Sequence, residues 1–527
     1  MSDPAQLPVT LGSRARGRLA ELTAAAKNRT VLRGFIGTFC IAVGALSPAY
    51  LPRSSPFWKM LDAINLAGTT GKITGTVATM VGVLLLVTAW FSLRPRHNED
   101  GGFDHLAVKH WAVLVLWSLP FLAAPPIFSH DAYSYAAQGW MWHNNINPYD
   151  VGPGILPGAF ADQVAWVWRT TRAPYGPLAL EMNYWTVVLC GFHPYLSAVM
   201  MRVPAVLGTA LVAHLLPRIG RQQSVDAGFV AWFGVLNPLV LINFIGGCHN
   251  DALMMGFMVA GLWLAGWRVP DNWVRTRKRL AFMDLWWWVL GAVLIGLAAA
   301  IKQPAIMAAA ALPLLPRPWT SWTRRELGVT FVRVLASLGI ATGTFALVSV
   351  ITGLGFGWIF AIDVPGQAFT AAPFNLLGAV LNWTVAQFGL VGVDLVPICR
   401  TIGVVTAGVI IAWLWFAHAG RRPYVFLSYG FIAVAAGFPA LHTWYLQWGG
   451  TLLPLAMRRR TITISVWATL VLLGFDAINM SWRNNAIALG IGTAVAVIWF
   501  AWNHTQEHAL AVEAVETAAT SETPAED

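Results

Sequence analysis

Charge is scarce in this chain. Only 11% of its residues are Asp, Glu, Lys or Arg, against 57% hydrophobic ones, too few to cover a water-soluble surface. Cysteine is scarcer still. Cys40, Cys190, Cys248 and Cys399 stand far apart in apolar surroundings with no CxxC pair, which excludes a disulfide framework and a cysteine zinc site and leaves packed thiols. Acidic residues are in deficit, 24 against 34 Lys and Arg, for a net charge of +10. That excess does not mark a nucleic-acid binder. Most of the basic residues fall in short connections between apolar runs, where cytoplasmic loops of membrane proteins hold them. The first thirty or so residues have no short apolar core followed by a cleavage site, so no signal peptide is expected there.

What the chain has in plenty is apolar runs of about 18–22 residues, each long enough to cross a bilayer. The expected fold class is an all-α integral membrane protein with about 12–14 transmembrane helices. Three regions are expected: a cytoplasmic N-terminal segment over residues 1–32, a membrane domain over 33–503 with an outer loop at 127–180, and a disordered cytoplasmic tail over 504–527. Basic groups set the sidedness. Arg14, Arg16, Arg18 and Lys27 lie inside, as do Arg94, Arg96 and Lys109, then Arg218 and Arg221. The same holds for Arg268, Arg275, Arg277, Lys278 and Arg279, for Arg317, Arg324 and Arg325, for Arg421 and Arg422, and for Arg458, Arg459 and Arg460. Four polar groups then fall together on the outer side. They are the loop containing Asp131, the turn His249-Asn250-Asp251, Lys302 in the middle of the apolar stretch 286–316, and the stretch from His442 to Trp448.

The outer loop is too long for a simple connection, and long ordered loops usually carry function. Its first part has helical periodicity. Tyr133, Ala136, Ala137, Trp140 and Met141 form one apolar stripe, suited to a helix in the membrane interface. Asp131, Tyr135, Gln138 and Trp142 form a second face. That face combines a carboxylate, an amide and aromatic rings, a combination suited to sugars. A plain interfacial helix capped by Asp131 beside Ser129 fits the same spacing.

The quoted segments also carry a family resemblance. Ser129-His130-Asp131-Ala132-Tyr133-Ser134-Tyr135, Asn147-Pro148-Tyr149, Ala173-Pro174-Tyr175-Gly176-Pro177, Asn237-Pro238-Leu239-Val240-Leu241, His249-Asn250-Asp251 and Trp444-Tyr445 resemble the actinobacterial α-(1→6)-mannopyranosyltransferases. The resemblance covers most of residues 30–500 in order. It implies a GT-C-type bundle, polyprenyl-phosphate mannose as donor, and a mannosylated glycolipid acceptor. It also implies extension of the mannan of lipomannan and lipoarabinomannan in the cell wall. The enzyme would sit in the bacterial plasma membrane with its active site on the extracytoplasmic face. An acidic residue in the first large outer loop would act as catalytic base, and Asp131 matches that position. One departure is that two spans precede this loop, which puts the start of the core near residue 110.

The expected chemistry is a single inverting displacement. An alcohol needs a positioned carboxylate to take its proton, and a departing phosphate needs positive charge more than a general acid. Lys302 is the expected phosphate contact, because a lysine in an apolar segment faces a cavity or a partner. Arg169 and Arg172 are further phosphate candidates, and lipid headgroups suit them equally. His130, Tyr135, Gln138, Trp142, Tyr175, His249, Asn250, Asp251, His442 and Trp444 are candidates for holding the sugars, although Asp251 also fits a helix cap. No metal or other cofactor is required, and an oxygen site for a divalent cation at Asp131 with Asp150 or Asp251 stays open. A secondary transporter or a lipid-linked sugar flippase is the alternative. Transporters, however, place their ionisable groups near the bilayer midplane.

Overall fold

The computed structural model describes residues 11–95, 108–267, 286–316, 318–319, 321–361, 364–367, 370–390, 392–456, 459–482 and 485–521. Outside these residues lie Arg96, Arg268, Arg275, Arg277, Lys278, Arg279, Arg317 and Arg458, the first ten residues of the N-terminal segment, and the last six of the tail. Among the described residues every regular element is helical.

The chain begins with α1 (Leu11–Lys27), α2 (Arg29–Gly44), α3 (Thr69–Ser92) and α4 (His110–Ala123), then α5 (Asp131–His143) inside the outer loop. The elements α6 (Pro177–Leu189), α7 (Pro194–Met200), α8 (Arg202–Gln222), α9 (Ala227–Gly234) and α10 (Asp251–Ala265) follow. The second half comprises α11 (Trp287–Ala299), α12 (Arg324–Ile351), α13 (Pro373–Gln387), α14 (Val396–Leu414), α15 (Pro423–Gly437), α16 (Arg459–Trp482) and α17 (Asn485–Ser521).

Among the described residues, six helices are long and apolar enough to cross a membrane: Thr69–Ser92, Pro194–Gln222, Arg324–Ile351, Val396–Ala419, Thr461–Met480 and Ala486–Gln506. Ala227–Gly234 and Pro238–Gly246 make a seventh if their 46° bend belongs to one span. The protein is thus an all-α, multi-pass membrane protein. Among the described residues, the helices that meet this length and composition are fewer than the apolar runs. The difference lies in helices such as α4, α10, α11 and α15, with 14, 15, 13 and 15 residues. At 1.5 Å per residue each covers only about 20–23 Å, short of a hydrocarbon core of about 30 Å. α4 and α15 stop just before prolines, Pro125-Pro126 and Pro439, and α11 stops three residues before Lys302. Non-helical backbone at membrane depth is tolerated where protein surrounds it.

Two expectations about local structure change. The apolar stripe of α5 does not lie on a membrane surface. Tyr133, Ala136, Ala137 and Met141 are buried, and so are Tyr135 and Gln138 on the other face. Helix α5 packs against α6 and α7, so protein takes the place of lipid around it. In addition, residues 504–521 continue α17 as a helix, consistent with the Ala- and Glu-rich, helix-favouring sequence there.

Helices α8 and α10 cross with backbones in contact. A Cβ on Gly208 would lie 2.2 Å from the Ala252 carbonyl oxygen, so only glycine fits; small residues at such crossings let helices approach. Gly208→Val is expected to cost about 1–3 kcal/mol by overpacking, read as a lower thermal unfolding midpoint in detergent. Because Ala252 follows Asp251, the turn before α10 should be displaced as well.

Candidate active site

The four polar groups expected on one side meet. Tyr175 is brought to Lys302 by backbone pairing. Gly176 N–H donates to Ile301 O at 3.0 Å, Leu178 N–H to Ala300 O at 2.9 Å, and the Gln303 amide to Pro174 O at 3.0 Å. Gly176 is required by this approach, since a Cβ there would lie 2.2 Å from Ala300 O. The break between α11 and the 3-10 segment Gln303–Ala310 places Lys302 in an extended conformation between them. The turn before α10 is tied to the loop before α5 by Ile127 N–H donating to Gly246 O at 3.1 Å.

Lys302 and Asp251 form a buried ion pair. The Lys302 ammonium lies 2.9 Å from both Asp251 carboxylate oxygens. Trp448 Nε1–H donates to Asp251 Oδ1 at 2.6 Å. The ammonium also sits 4.2 Å from the centre of the Tyr445 ring and within 6 Å of those of Trp448 and Tyr175, in cation–π range. Asp251, expected as a helix cap ahead of a sugar contact, is therefore the partner of Lys302.

Asp131 is the second acid, and it is arranged differently. It opens α5, its backbone N–H donates to Ser129 Oγ at 3.1 Å, and its side chain is 16% exposed where that of Asp251 is fully buried. Burial pushes its pKa up to about 6, against the opposing pull of the Lys302 charge and the Ser129 hydroxyl. His249 Nδ1 stands 3.7 Å from Asp131 Oδ2. That is beyond hydrogen-bond range. Burial, with Lys302 and His442 nearby, also holds the His249 imidazole well below its ordinary value, so it is neutral and the contact is not an ion pair. His442 is pushed down to about 3 by burial and by Lys302.

Three rings stack beside these groups. His442 lies over Trp444 with centroids 4.4 Å apart, and Trp444 over His249 at 3.9 Å. Tyr135 meets Tyr175 edge-on at 5.1 Å. Among the described residues, neither ring nitrogen of His249, neither amide atom of Asn250 and not Trp444 Nε1 has a hydrogen-bond partner. Buried polar atoms are rarely left so, and sugar hydroxyls would complete them. No group of three or more His, Cys, Asp or Glu among the described residues is clustered so as to hold a metal ion.

Other expected residues lie elsewhere. Arg169 folds back on its own loop, donating to Asp162 O at 2.9 Å and Val164 O at 3.3 Å. Arg172 is exposed, and among the described residues neither arginine contacts the Asp131–Lys302 cluster. The His130 ring nitrogen Nε2 lies 2.8 Å from Tyr50 O. Trp142 donates to Glu181 Oε1 at 3.0 Å, and eleven residues of helix put it about 16 Å along α5 from Asp131. The face from Asp131 to Trp142 therefore does not meet one sugar; Trp142 packs α5 onto α6. Gln138 is buried in α5.

Two residues not singled out from sequence brace the site. Arg202 donates to Ile245 O, Gly246 O and Leu122 O, fixing the turn that carries His249. Asp476 accepts Thr443 Oγ1–H at 2.7 Å and, at 3.4 Å, the Asn243 amide, holding the stretch that carries His442 and Trp444. The signal was present: each is a charge inside an apolar run. Tyr445 and Trp448 lie in the expected outer stretch, and only the fold shows that they face Lys302.

Broken helices that gather two acids, a lysine and stacked rings at one place define a multi-pass membrane enzyme with a polar, aromatic-lined site. The family model described as "Alpha-(1->6)-mannopyranosyltransferase, N-terminal domain" matches residues 31–318. Alpha-(1->6)-mannopyranosyltransferase A of Mycobacterium tuberculosis is 29% identical over 468 residues, 86% of each chain. A probable alpha-(1->6)-mannopyranosyltransferase of Mycolicibacterium smegmatis is 30% identical over 463 residues, 81% of this chain and 78% of that one. Alpha-(1->6)-mannopyranosyltransferase A of Corynebacterium glutamicum is 29% identical over 394 residues, 69% of this chain and 76% of that one. No solved structure matches the chain. The chain belongs to the alpha-(1→6)-mannopyranosyltransferase family and is a membrane mannosyltransferase. That membership decides against the transporter and flippase alternatives.

Proposed function

We propose that the protein transfers mannose from polyprenyl-phosphate mannose to the 6-hydroxyl of a mannosylated glycolipid acceptor. The new linkage is α-(1→6), the product is part of lipomannan and lipoarabinomannan synthesis, and the site faces the extracytoplasmic side of a bacterial plasma membrane. The carrying observation is the unequal state of the two acids. Asp251 is locked by Lys302 and Trp448, while Asp131 is partly accessible and has no cationic side chain in salt-bridge contact among the described residues. Asp131 is therefore the base.

In the step itself the acceptor oxygen forms a bond to the anomeric carbon, and the bond from that carbon to the phosphate oxygen breaks. The electron pair leaves with the polyprenyl phosphate, and the hydroxyl proton goes to Asp131. Attack from the face opposite the leaving group inverts the anomeric centre. Two of the three N–H donors of Lys302 are used by Asp251, which leaves one for a phosphate oxygen. His249, Asn250, Trp444 and Tyr175 hold the sugars by hydrogen bonds and ring faces.

The test is purified protein with labelled polyprenyl-phosphate mannose and α-(1→6)-mannosides of graded length. Addition of one α-(1→6)-mannose per transfer is expected; transfer only from a nucleotide sugar would overturn the reading. The same assay gives a pH prediction. A base must be ionised, and Asp131 has its pKa raised to about 6. Hence kcat/KM should fall about tenfold per pH unit below pH 6 and level off above it. The sign for stability is the reverse. Burial favours the neutral acid, so its contribution to stability is full below pH about 4 and is lost as pH rises through about 6.

A further inference from the structure

A second cavity opens on the side of the bundle. Between the first half of α12 and the end of α14 runs an apolar slot of about 650 Å³, within the roughly 300–1,000 Å³ range of hydrophobic ligand sites. Its walls include Leu327, Val334 and Leu338 of α12, with Ile411 and Trp415 opposite. Phe331 and Leu335 on its rim are 58% and 51% exposed, so the slot opens sideways toward lipid. Trp319 and Phe416 are shared with a smaller cavity of about 210 Å³, lined also by Ser321, Trp322 and Arg421. Trp322 is 70% exposed, as tryptophans at a membrane–water boundary are. Arg421, Arg422, Arg324 and Arg325 are all exposed at this end, with Glu326 the acid beside them.

We propose that this slot binds an anionic glycerophospholipid, with an acyl chain between α12 and α14 and the headgroup phosphate on Arg421. The shape supplies the chain site, and the arginines supply a charge opposite to that of the headgroup. The donor's own polyprenyl phosphate is a poorer fit for geometric reasons. The far end of α12 meets the outer loop, where the Asn147 amide donates to Leu354 O at 3.2 Å. From Leu327 to Ile351 the helix rises about 36 Å. A phosphate on Arg421 therefore lies beside the start of α12, at the end away from the loop that carries Asn147, and a donor phosphate on Lys302 leaves Arg421 free for another lipid.

The test is native mass spectrometry of the delipidated full chain with added phosphatidylglycerol, phosphatidylcholine or polyprenyl phosphate. Phosphatidylglycerol should bind about tenfold or more tightly than phosphatidylcholine. Arg421→Glu, a surface change, should weaken phosphatidylglycerol by a similar factor, and Leu338→Trp should block it by filling the slot. Lys302→Gln with Asp251→Asn should leave it unchanged. Equal binding to wild type, Arg421→Glu and Leu338→Trp would overturn the proposal. So would displacement of phosphatidylglycerol by equimolar polyprenyl phosphate.

Discussion

Asp131→Asn should lower the rate of mannose transfer by about 10²–10⁴-fold, the usual contribution of a positioned base, while the protein still folds. The substitution keeps size and hydrogen-bonding capacity and removes only the ability to take a proton. Its effect on stability should be small or favourable, because a neutral amide is cheaper to bury than a carboxylate. Asp131 makes no salt bridge with a charged partner among the described residues, so nothing is orphaned. An unchanged thermal midpoint with lost turnover separates catalysis from folding. Near-normal turnover removes Asp131 from the chemistry.

Lys302→Ala should behave in the opposite manner, with large losses in both stability and donor use. Asp251 is fully buried and Lys302 nearly so. Removing one partner of such a pair strands the other charge, at a cost of about 3–5 kcal/mol. Replacing both, with Lys302→Gln and Asp251→Asn, should recover most of that stability, since two amides can still bond to each other and to Trp448. Donor use should stay lost, because no cation remains for the leaving phosphate. A double variant that regains stability and turnover together would confine Lys302 to a structural role. In the single variant, loss of the Lys302 charge also lets the Asp131 pKa rise further, so the acidic limb of the pH profile should move above pH 6.

The sequence carried the grouping of the site. Asp131, His249, Lys302 and His442 come from four distant segments, yet the distribution of Lys and Arg puts all four on one side, and they do meet. The break at Lys302 was legible too, because basic residues at both ends of the stretch 286–316 put those ends on one side, so the chain has to turn within it. The partners were not legible. Lys302 could as well have faced a headgroup as Asp251, 51 residues away, and only packing decides. Periodicity marked α5 but misjudged its surroundings, since an apolar stripe looks the same against lipid as against α6 and α7. The reach of Trp142 was misjudged because sharing a helix face with Asp131 does not shorten the distance along the axis. Arg202 and Asp476 were readable as charges in apolar runs, but the carbonyls and hydroxyls they hold belong to turns that no local pattern displays.

A single-turnover experiment bears most directly on the central claim. Wild type and Asp131→Asn are each loaded with labelled polyprenyl-phosphate mannose, bound donor is measured, and an excess of α-(1→6)-mannoside is then mixed in. Equal donor loading, with rapid appearance of the extended mannoside from the wild type alone, is the predicted outcome. Equal rates of product formation from both proteins would contradict the account.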